Sequence, residues 1–328
     1  MRFHRTQGQK FFIVGGAGFI GSHFTDELLT RQGASVTLYD NFSSGREWHY
    51  ENHLSNPAFK VVRGDVKDLE LMTRSMDGHD VVIHLASNPD IARAATEPTI
   101  DFDEGTLLTQ NVVEAMRRSS AKRILYASGS GVYGDIGTEE AQEDRGPLLP
   151  SSTYGASKLA GEALLCSYAA MFGLSGCAFR FGNVVGGRQT HGVGYDFVRR
   201  LLKDPTKLTI LGDGSQSKSY IHVSDVVAAV LTAHENTREP FMPYNVATGD
   251  YITVREIAFL VVELLDLDPS KVDLQFGTTP RGWKGDVPVV RLNTDRIQTL
   301  GWKCSRPTAL ALKDSILAML PDAKLGKI

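Results

Sequence analysis

The fold of this chain is decided by the stretch Lys10-Phe11-Phe12-Ile13-Val14-Gly15-Gly16-Ala17-Gly18-Phe19-Ile20-Gly21. It begins with a short apolar run that leads into glycines, which is typical of a buried strand. A helix is predicted to follow over residues 18–31. In such a unit Gly15 permits the tight turn, Gly18 lets the backbone approach a pyrophosphate, and Gly21 lets helix and strand pack closely. Free amide groups at the helix N-terminus favour phosphate, so the stretch predicts a dinucleotide site.

Strands and helices alternate after this unit. Further strands are predicted over residues 35–39, 59–63, 81–85 and 123–127, with helical segments between them, notably 105–118 and 154–171. Apolar strands that alternate with helices indicate a parallel sheet covered on both faces. We therefore predict an α/β fold, a Rossmann-type doubly wound parallel sheet over residues 10–180.

The regular alternation ends near Phe179, beyond which glycines, prolines and short apolar runs take over. Residues 181–218 and 251–328 are predicted to form a smaller mixed α/β substrate-binding region, with a helix over 254–265. Residues 219–250, with a helix at 223–234 and a strand at 244–247, are expected to return to the main sheet. Residues 1–9 are expected to be a mobile tail.

Composition excludes several classes of function. The 328 residues are 42% hydrophobic, enough for a large core, and their net charge of -3 gives no general basic field for nucleic acid. The cysteines Cys166, Cys177 and Cys304 lack metal-type spacing and form an odd, sparse set, which favours a reducing, cytoplasmic location. No signal peptide or apolar run long enough to span a membrane is seen, so no membrane is expected as a partner. No metal is expected either, because no His, Cys or Asp cluster has metal-type spacing.

Acidic and apolar residues at the strand ends extend the dinucleotide pattern. Asp40 ends the second strand, about twenty residues past the glycine loop, where a carboxylate accepts the ribose hydroxyls of adenosine. It also repels a 2′-phosphate, which favours NAD over NADP. The alternative is an Asp that only forms a turn before Asn41. Asp65-Val66 is expected beside the adenine, and Leu85-Ala86-Ser87 along the pyrophosphate.

Tyr154 and Lys158 lie one helical turn apart, so they share a helix face. A free tyrosine has a pKa of about 10, too high for a base at neutral pH. A lysine ammonium one turn away favours the phenolate, and oxidised nicotinamide adds further positive charge. The alternative is a solvated pair on a surface helix. Together with the glycine loop, the pair predicts a nicotinamide cofactor and a phenolate that removes a proton from an alcohol.

With these residues, the chain from about residue 10 to residue 302 resembles the extended short-chain dehydrogenase/reductases, in particular nucleotide-sugar epimerases of the UDP-glucose 4-epimerase type. The segments that carry the resemblance are Gly15–His23, Asp40–Gly45, Gly64–Val66, His84–Ser87, Ser130–Gly134, Tyr154–Leu159, Arg180–Asn183, Leu211–Gly214, Tyr220–Asp225 and Gly285–Pro288.

The resemblance implies a reaction and a set of ligands. In such enzymes NAD stays bound, the tyrosine takes a proton from a sugar hydroxyl, and hydride passes to the nicotinamide and back to the other face of the ketosugar. Residues implied to bind NAD are Gly15, Gly18, Phe19, Ile20, Gly21, Asp40, Asn41, Ser43, Gly45, Asp65, Val66, Leu85, Ala86, Ser87, Tyr154 and Lys158. Those implied to bind the nucleotide sugar are Asn183, Lys218, Arg281 and Asp286, and Arg188 is a candidate cation for a sugar carboxylate.

Two departures from the family pattern concern the site. Relatives carry Ser or Thr four residues before the tyrosine of the Val-Tyr-Gly motif, where this chain has Gly129. Ser128 or Ser130 is expected to supply the hydroxyl, with Ser130 favoured, or else the glycine widens the pocket. The second departure is Glu104-Gly105 in place of an Asn-Asn pair. Glu104 is unfavourable near a pyrophosphate unless it turns away or meets a cation.

The reaction is predicted from what the Ser130-Gly131-Val132-Tyr133 segment lacks. Dehydratases of this superfamily carry an Asp-Glu pair before Val-Tyr-Gly, and decarboxylases often keep a Glu there, whereas this chain has neither. Epimerisation, most often at C4, is therefore expected, on a UDP-sugar first and a GDP- or dTDP-sugar next. The alternatives are a dehydratase, decarboxylase or C4 oxidoreductase, and, from another class, a non-catalytic NAD-binding regulatory protein. A homodimer through a four-helix bundle is also implied.

Overall fold

The computed structural model describes residues 8–31, 33–283, 285–324 and 326. Residues 1–7 of the predicted mobile tail lie outside the described residues. Gln9, at the end of that tail, is held in place, because its carbonyl accepts the amide of Ser35 and its side chain binds His234.

The first part of the chain alternates strands and helices. Its elements are β1 (Lys10–Val14), α1 (Phe19–Leu29), β2 (Ser35–Asp40), β3 (Phe59–Arg63), α2 (Leu69–Met76), β4 (Val81–His84), α3 (Leu107–Arg118), β5 (Arg123–Gly129), β6 (Glu140–Ala141), α4 (Thr153–Phe172) and β7 (Ser175–Phe181). Short helical turns cover Glu47–His49, Glu51–His53, Ile91–Ala95, Phe102–Thr106 and Ser130–Tyr133.

The second part contains shorter strands. Its elements are β8 (Asn183–Val185), α5 (Val193–Lys203), β9 (Lys207–Ile210), β10 (Ser217–Lys218), β11 (Tyr220–His222), α6 (Val223–Asn236), β12 (Phe241–Val246), β13 (Ile252–Thr253), α7 (Val254–Leu264), β14 (Asp273–Phe276), β15 (Arg291–Leu292), α8 (Asp295–Gln298) and α9 (Thr308–Lys324).

The main sheet has the strand order β12-β7-β5-β4-β1-β2-β3, and every neighbouring pair in it is parallel. The chain builds outward from β1 through β2 and β3, then returns and builds the other way from β4. The Rossmann-type doubly wound fold predicted from the sequence is confirmed. This reversal opens a crevice at the carboxyl ends of β1 and β4, where ligands bind in sheets of this kind.

Both faces of the sheet are covered. Along β1, Phe11 and Ile13 enter the core beneath α1 and α6, whereas Phe12 and Val14 enter the core beneath α3 and α4. All four side chains are fully buried. Because successive side chains of a strand point to opposite faces, a strand covered on both sides must be apolar throughout, which is the pattern of this run.

A separate core holds the smaller region together. It packs side chains of α5, α7 and α9 against strands of the pairs β9–β14 and β10–β13. Residues 219–250 are shared between the two parts of the chain, since α6 packs on α1 while β12 pairs with β7 at the sheet edge. The smaller region is thereby placed over the carboxyl ends of the main sheet.

Candidate active site

A cavity of about 550 Å³ lies at the crevice between β1 and β4. The glycine loop, the ends of several strands and the start of α4 form one wall. Residues 189–194 and the segment around Asp286 form the other. All of the residues predicted to bind the cofactor line this cavity except Gly45.

The glycine loop is shaped by close backbone contacts. Gly15 has a φ of +77°, and a Cβ placed there would lie 2.7 Å from the amide nitrogen of Ala86 at the end of β4. A Cβ on Gly21 would lie 2.5 Å from the carbonyl oxygen of Gly16. Helix α1 follows Gly18, which provides no side-chain cap. The first amide groups of α1 therefore face the cavity in a form suited to the phosphates of a dinucleotide.

Asp40 is buried beside this loop. Its Oδ2 accepts the amide of Ala17 at 2.9 Å, and its Oδ1 accepts the amide of Phe42 at 2.7 Å. Burial raises the pKa of the carboxyl group, while these two hydrogen bonds act in the opposite direction. Gly45 lies behind the carboxylate, because a Cβ there would be 3.0 Å from Oδ1. Gly45 thus leaves room for Asp40 and does not itself face the cavity, which corrects its predicted role as a cofactor contact.

Tyr154 and Lys158 are positioned by the start of α4. The Ser152 hydroxyl caps this helix by accepting the amide of Gly155 at 3.1 Å, which fixes the first turn. The Nζ of Lys158 lies 5.4 Å from the centre of the Tyr154 ring and donates to the carbonyl oxygen of Ala127 at 2.8 Å. Both side chains line the cavity, so the structure brings the pair together beside the end of β5.

Burial dominates the acid–base properties of this pair. It raises the pKa of Tyr154 to about 12, with hydrogen bonding to Ser87 acting in the opposite direction. It lowers the pKa of Lys158 to about 8. The sequence predicts that Lys158 and oxidised nicotinamide together favour the phenolate; in the protein by itself, desolvation holds the pKa of Tyr154 above its ordinary value. A further positive charge beside the phenol would lower the pKa of Tyr154.

Gly129 ends β5 next to the pair, and a Cβ there would meet no atom within 4 Å. Ser128 also lines the cavity, but it is buried and its hydroxyl already donates to Oε1 of Glu162 at 2.6 Å, so it cannot donate to a ligand as well. That bond joins it to the buried ion pair between Glu162 and Arg180. Of the two serines considered from the sequence, only Ser130 lines the cavity with a hydroxyl not engaged in this way.

Glu104 lines the cavity at the short π-helical turn that precedes α3. Its carboxylate forms an ion pair with Lys67 at 2.5 Å. Lys67 is thus the cation that a carboxylate near a pyrophosphate is expected to need. Gly105 beside it allows α4 to approach, because a Cβ there would lie 2.7 Å from Oγ of Ser157. The negative charge of Glu104 is thus compensated within the protein.

The residues predicted to bind substrate divide into two groups. Lys218 and Asp286 line the cavity as an ion pair at 2.6 Å, and Asn183 lines it nearby. Arg281 lies outside the lining, where it donates to Asp135 and to the backbone oxygen of Asp286.

Arg188 does not lie where a cation for a sugar carboxylate was predicted. It does not line the cavity, and its Nη2 donates at 2.7 Å to Oδ2 of Asp26 on α1. Its next neighbours along the chain, Gln189 and Thr190, do line the cavity. Sequence reasoning missed these two, and also Asn88, which follows the end of β4. Their position in the loops that follow β8 and β4 was the signal that could have identified them.

Two general expectations concern metals and membranes. Among the described residues, no group of three or more His, Cys, Asp or Glu side chains could hold a metal ion. None of the helices in the described part of the chain is long and apolar enough to cross a membrane.

Comparison with known proteins places the chain in a family. A model of the NAD dependent epimerase/dehydratase family matches residues 11–247. The UDP-glucose 4-epimerase of Mycolicibacterium smegmatis is 31% identical over 301 residues, covering 90% of this chain and 93% of that protein. UDP-glucuronic acid decarboxylase 2 of Arabidopsis thaliana is also 31% identical, covering 97% of this chain and 69% of that protein.

A solved structure of a UDP-galactose 4-epimerase is 36% identical and superposes with a TM-score of 0.84, covering 95% of this chain and 99% of that one. The resemblance inferred from the motifs is confirmed. Because the matched residues contain both the glycine loop and the Tyr154–Lys158 pair, the chain belongs to the NAD-dependent epimerase/dehydratase family, with NAD as its cofactor.

Proposed function

We propose that this protein is a UDP-sugar epimerase that inverts C4 through a transient 4-keto intermediate. The observation that carries the proposal is a Tyr154–Lys158 pair in a cavity where the neighbouring Ser130-Gly131 segment offers no carboxylate. Elimination of water from a sugar needs an acid and a base at the reacting carbons. Oxidation and re-reduction at one carbon need only the tyrosine and a hydride acceptor.

The other carboxylates of the cavity support this choice. Glu104 is paired with Lys67 and Asp286 with Lys218. Asp40 accepts two backbone amides beside the glycine loop, and Asp65 accepts the side-chain amide of Asn41 and the backbone amide of Lys67. These groups are engaged at the cofactor end or the nucleotide end of the cavity. Among the described residues of the lining, each of these carboxylates therefore has a partner, and none is an unpaired acid beside Tyr154.

In the proposed mechanism, Tyr154 removes the proton from the C4 hydroxyl and later returns it to the 4-keto oxygen. NAD supplies the hydride acceptor and, in its reduced form, the hydride donor. Lys158 holds the nicotinamide ribose and adds positive charge next to the phenol, which counters the effect of burial on the pKa of Tyr154. The hydroxyl of Ser130 orients the reacting alcohol.

We propose the binding roles that the family resemblance implies, and the positions of these residues in the cavity support them. The amides of the glycine loop hold the pyrophosphate of NAD, and Asp40 holds its adenosine ribose. Asn183 and Lys218 bind the diphosphate of the substrate, and Asp286 binds its nucleoside. Arg281 joins this set only if it leaves Asp135, its partner in this structure.

The proposal is tested by incubating the purified protein with UDP-glucose, UDP-galactose, UDP-N-acetylglucosamine and UDP-glucuronic acid, without added cofactor, and following each by proton NMR. A product of unchanged mass inverted at C4 is expected, because NAD retained in the site returns the hydride it accepts. A product that has lost water or carbon dioxide would instead assign the protein to the dehydratase or decarboxylase branch.

We also propose that the protein is a homodimer through a four-helix bundle of α3 and α4 from each chain. Exposed apolar side chains on or next to these helices support it: Phe102, in the turn before α3, is 58% exposed, and Met171 on α4 is 72% exposed. Ala163, near the middle of α4, is also exposed. Sedimentation velocity at micromolar concentration is expected to give twice the chain mass. Ala163→Arg is expected to give a monomer, whereas Leu317→Arg, at an exposed apolar position of α9, is not. A monomeric wild-type protein would contradict the proposal.

A further inference from the structure

The loop formed by residues 186–192 joins β8 to α5 and contacts both binding regions; we name it the bridging loop. Its second half, from Gln189 onward, lines the cavity. Its first half lies against α1, where the carbonyl oxygen of Gly187 accepts from Nε2 of His23 at 2.9 Å. The loop therefore connects the helix that carries the glycine loop with the opposite wall of the cavity.

Arg188 is the central residue of the bridging loop and adopts an unusual backbone conformation. Its φ is +64°, in the left-handed region that non-glycine residues rarely occupy. Residues keep such a conformation when the surroundings fix them there. Its Nη2 donates to Oδ2 of Asp26 at 2.7 Å, and the other carboxylate oxygen of Asp26 binds His53 at 2.6 Å. The ion pair is three-quarters buried on the Arg188 side.

A second buried residue near Arg188, His49, is bonded to the glycine loop. His49 is buried, and its Nδ1 donates to the carbonyl oxygen of Ala17 at 2.8 Å. The amide of the same Ala17 donates to Asp40, so this residue of the glycine loop is held from both sides. Nδ1 carries the proton of His49, which makes its Nε2 an acceptor. That Nε2 and the donor Nη1 of Arg188 are both buried, and neither has a hydrogen-bond partner among the described residues.

The positive charge of Arg188 disfavours the protonated form of His49. Burial lowers the pKa of His49 to about 4; the bond to Ala17 is the next largest effect and raises it, and the charges of Arg188 and Arg46 lower it by less. His49 is therefore neutral at neutral pH and keeps an acceptor nitrogen for a guanidinium. Arg188 is thus bonded to Asp26 on α1, and His49 is bonded to the glycine loop, while Arg188 acts on His49 through its charge and without a hydrogen bond among the described residues.

We propose that Arg188 is a positioning residue that fixes the bridging loop to α1 through Asp26, and so sets the substrate wall of the cavity without touching substrate. The proposal rests on the proposed function for its kinetic consequence. Helix α1 is anchored independently, since Phe24 and Leu28 are fully buried in the main core. Breaking the ion pair should therefore move the bridging loop more than the glycine loop, and affect substrate binding more than NAD retention.

The test compares Arg188→Met, Asp26→Asn and the double variant. Each single change is expected to raise KM for the sugar nucleotide about tenfold, because either one removes the same ion pair. The double variant should raise KM no further than the single ones. Arg188→Lys, which keeps a charge near Asp26, should recover part of the effect. NAD content after purification, read by absorbance of the denatured protein, should stay at the wild-type level.

Arg306→Met is the matched control. Its guanidinium is 30% exposed and pairs with Asp225 and Asp314, outside the cavity lining. It should lower thermal stability without raising KM. If Asp26→Asn keeps the wild-type KM while Arg188→Met raises it, Arg188 contacts substrate directly and the proposal is wrong. The proposal is equally overturned if all variants behave like Arg306→Met.

Hydrogen exchange separates this proposal from the proposed function. Amides of residues 186–192 should exchange faster in Arg188→Met and Asp26→Asn than in the wild type, whereas the amides of β1 should not change. This result does not depend on which sugar is turned over, or on turnover at all. Unchanged exchange in the bridging loop would overturn the positioning role even if the enzyme proves to be an epimerase.

Discussion

Tyr154→Phe is expected to lower kcat for epimerisation by roughly 10² to 10⁴, the usual contribution of a general base, while NAD remains bound. The substitution removes only the phenolic oxygen, so the ring keeps its place between Lys158 and the cavity. The proton of the C4 hydroxyl then has no acceptor at the position where hydride leaves. Turnover measured by NMR and NAD content measured by absorbance would be determined on the same sample.

Tyr168→Phe is the matched control for this experiment. Tyr168 lies on the same helix, and its hydroxyl accepts from Gln110 at 2.7 Å, outside the cavity lining. Its loss should leave kcat near the wild-type value. Full activity in Tyr154→Phe would exclude this tyrosine as the base. Equal losses in both variants would indicate a general effect on α4 instead.

Gly15→Ala is expected to destabilise the fold by several kcal/mol and to abolish NAD retention, because the new Cβ overlaps the backbone that directly follows β4. Its Cβ would lie 2.7 Å from the amide nitrogen of Ala86, and neither backbone can move without separating β1 from β4. The left-handed conformation at a φ of +77° adds about 1–2 kcal/mol to the cost.

Gly78→Ala isolates the conformational part of that cost. Gly78 has a φ of +79°, and a Cβ there would meet no atom within 4 Å. This variant should lose only about 1–2 kcal/mol and keep its NAD. Urea unfolding gives both free energies of unfolding under one set of conditions. If the two variants lose equal stability, the close approach of β1 and β4 does not determine the requirement for glycine at position 15.

Residues with a strong local pattern were predicted correctly. The strands at residues 10–14 and 59–63 were predicted with the bounds that β1 and β3 have in the structure. Strand β7 was not assigned, because Gly176 and Arg180 interrupt its apolar sequence. The charge of buried Arg180 is compensated by Glu162, which pairs with it at 2.7 Å. The two residues come from different elements, so the local sequence of β7 contains no sign of its partner.

The same distinction applies to the candidate site. The spacing of Gly15, Gly18 and Gly21 and the acid at Asp40 follow from local backbone chemistry, and all of them lie at the cavity. Arg188 carries the right charge for a substrate ligand, yet it points to Asp26 on α1. Ser128 and Ser130 are equivalent as sequence neighbours of Gly129, but only the first meets the buried Glu162.

The sequence by itself determined the sheet, the cofactor class and the reactive pair, because each depends on residues close together along the chain. Strand periodicity, the glycine turn and the one-turn spacing of Tyr154 and Lys158 are all local. Tertiary structure alone decided which charged and hydroxyl groups remain available to a ligand. Arg188, Ser128 and Glu104 each meet a partner from a distant segment, and burial raises the pKa of Tyr154. The physical reason is that desolvation and ion pairing depend on distances in space, which separation along the chain does not fix.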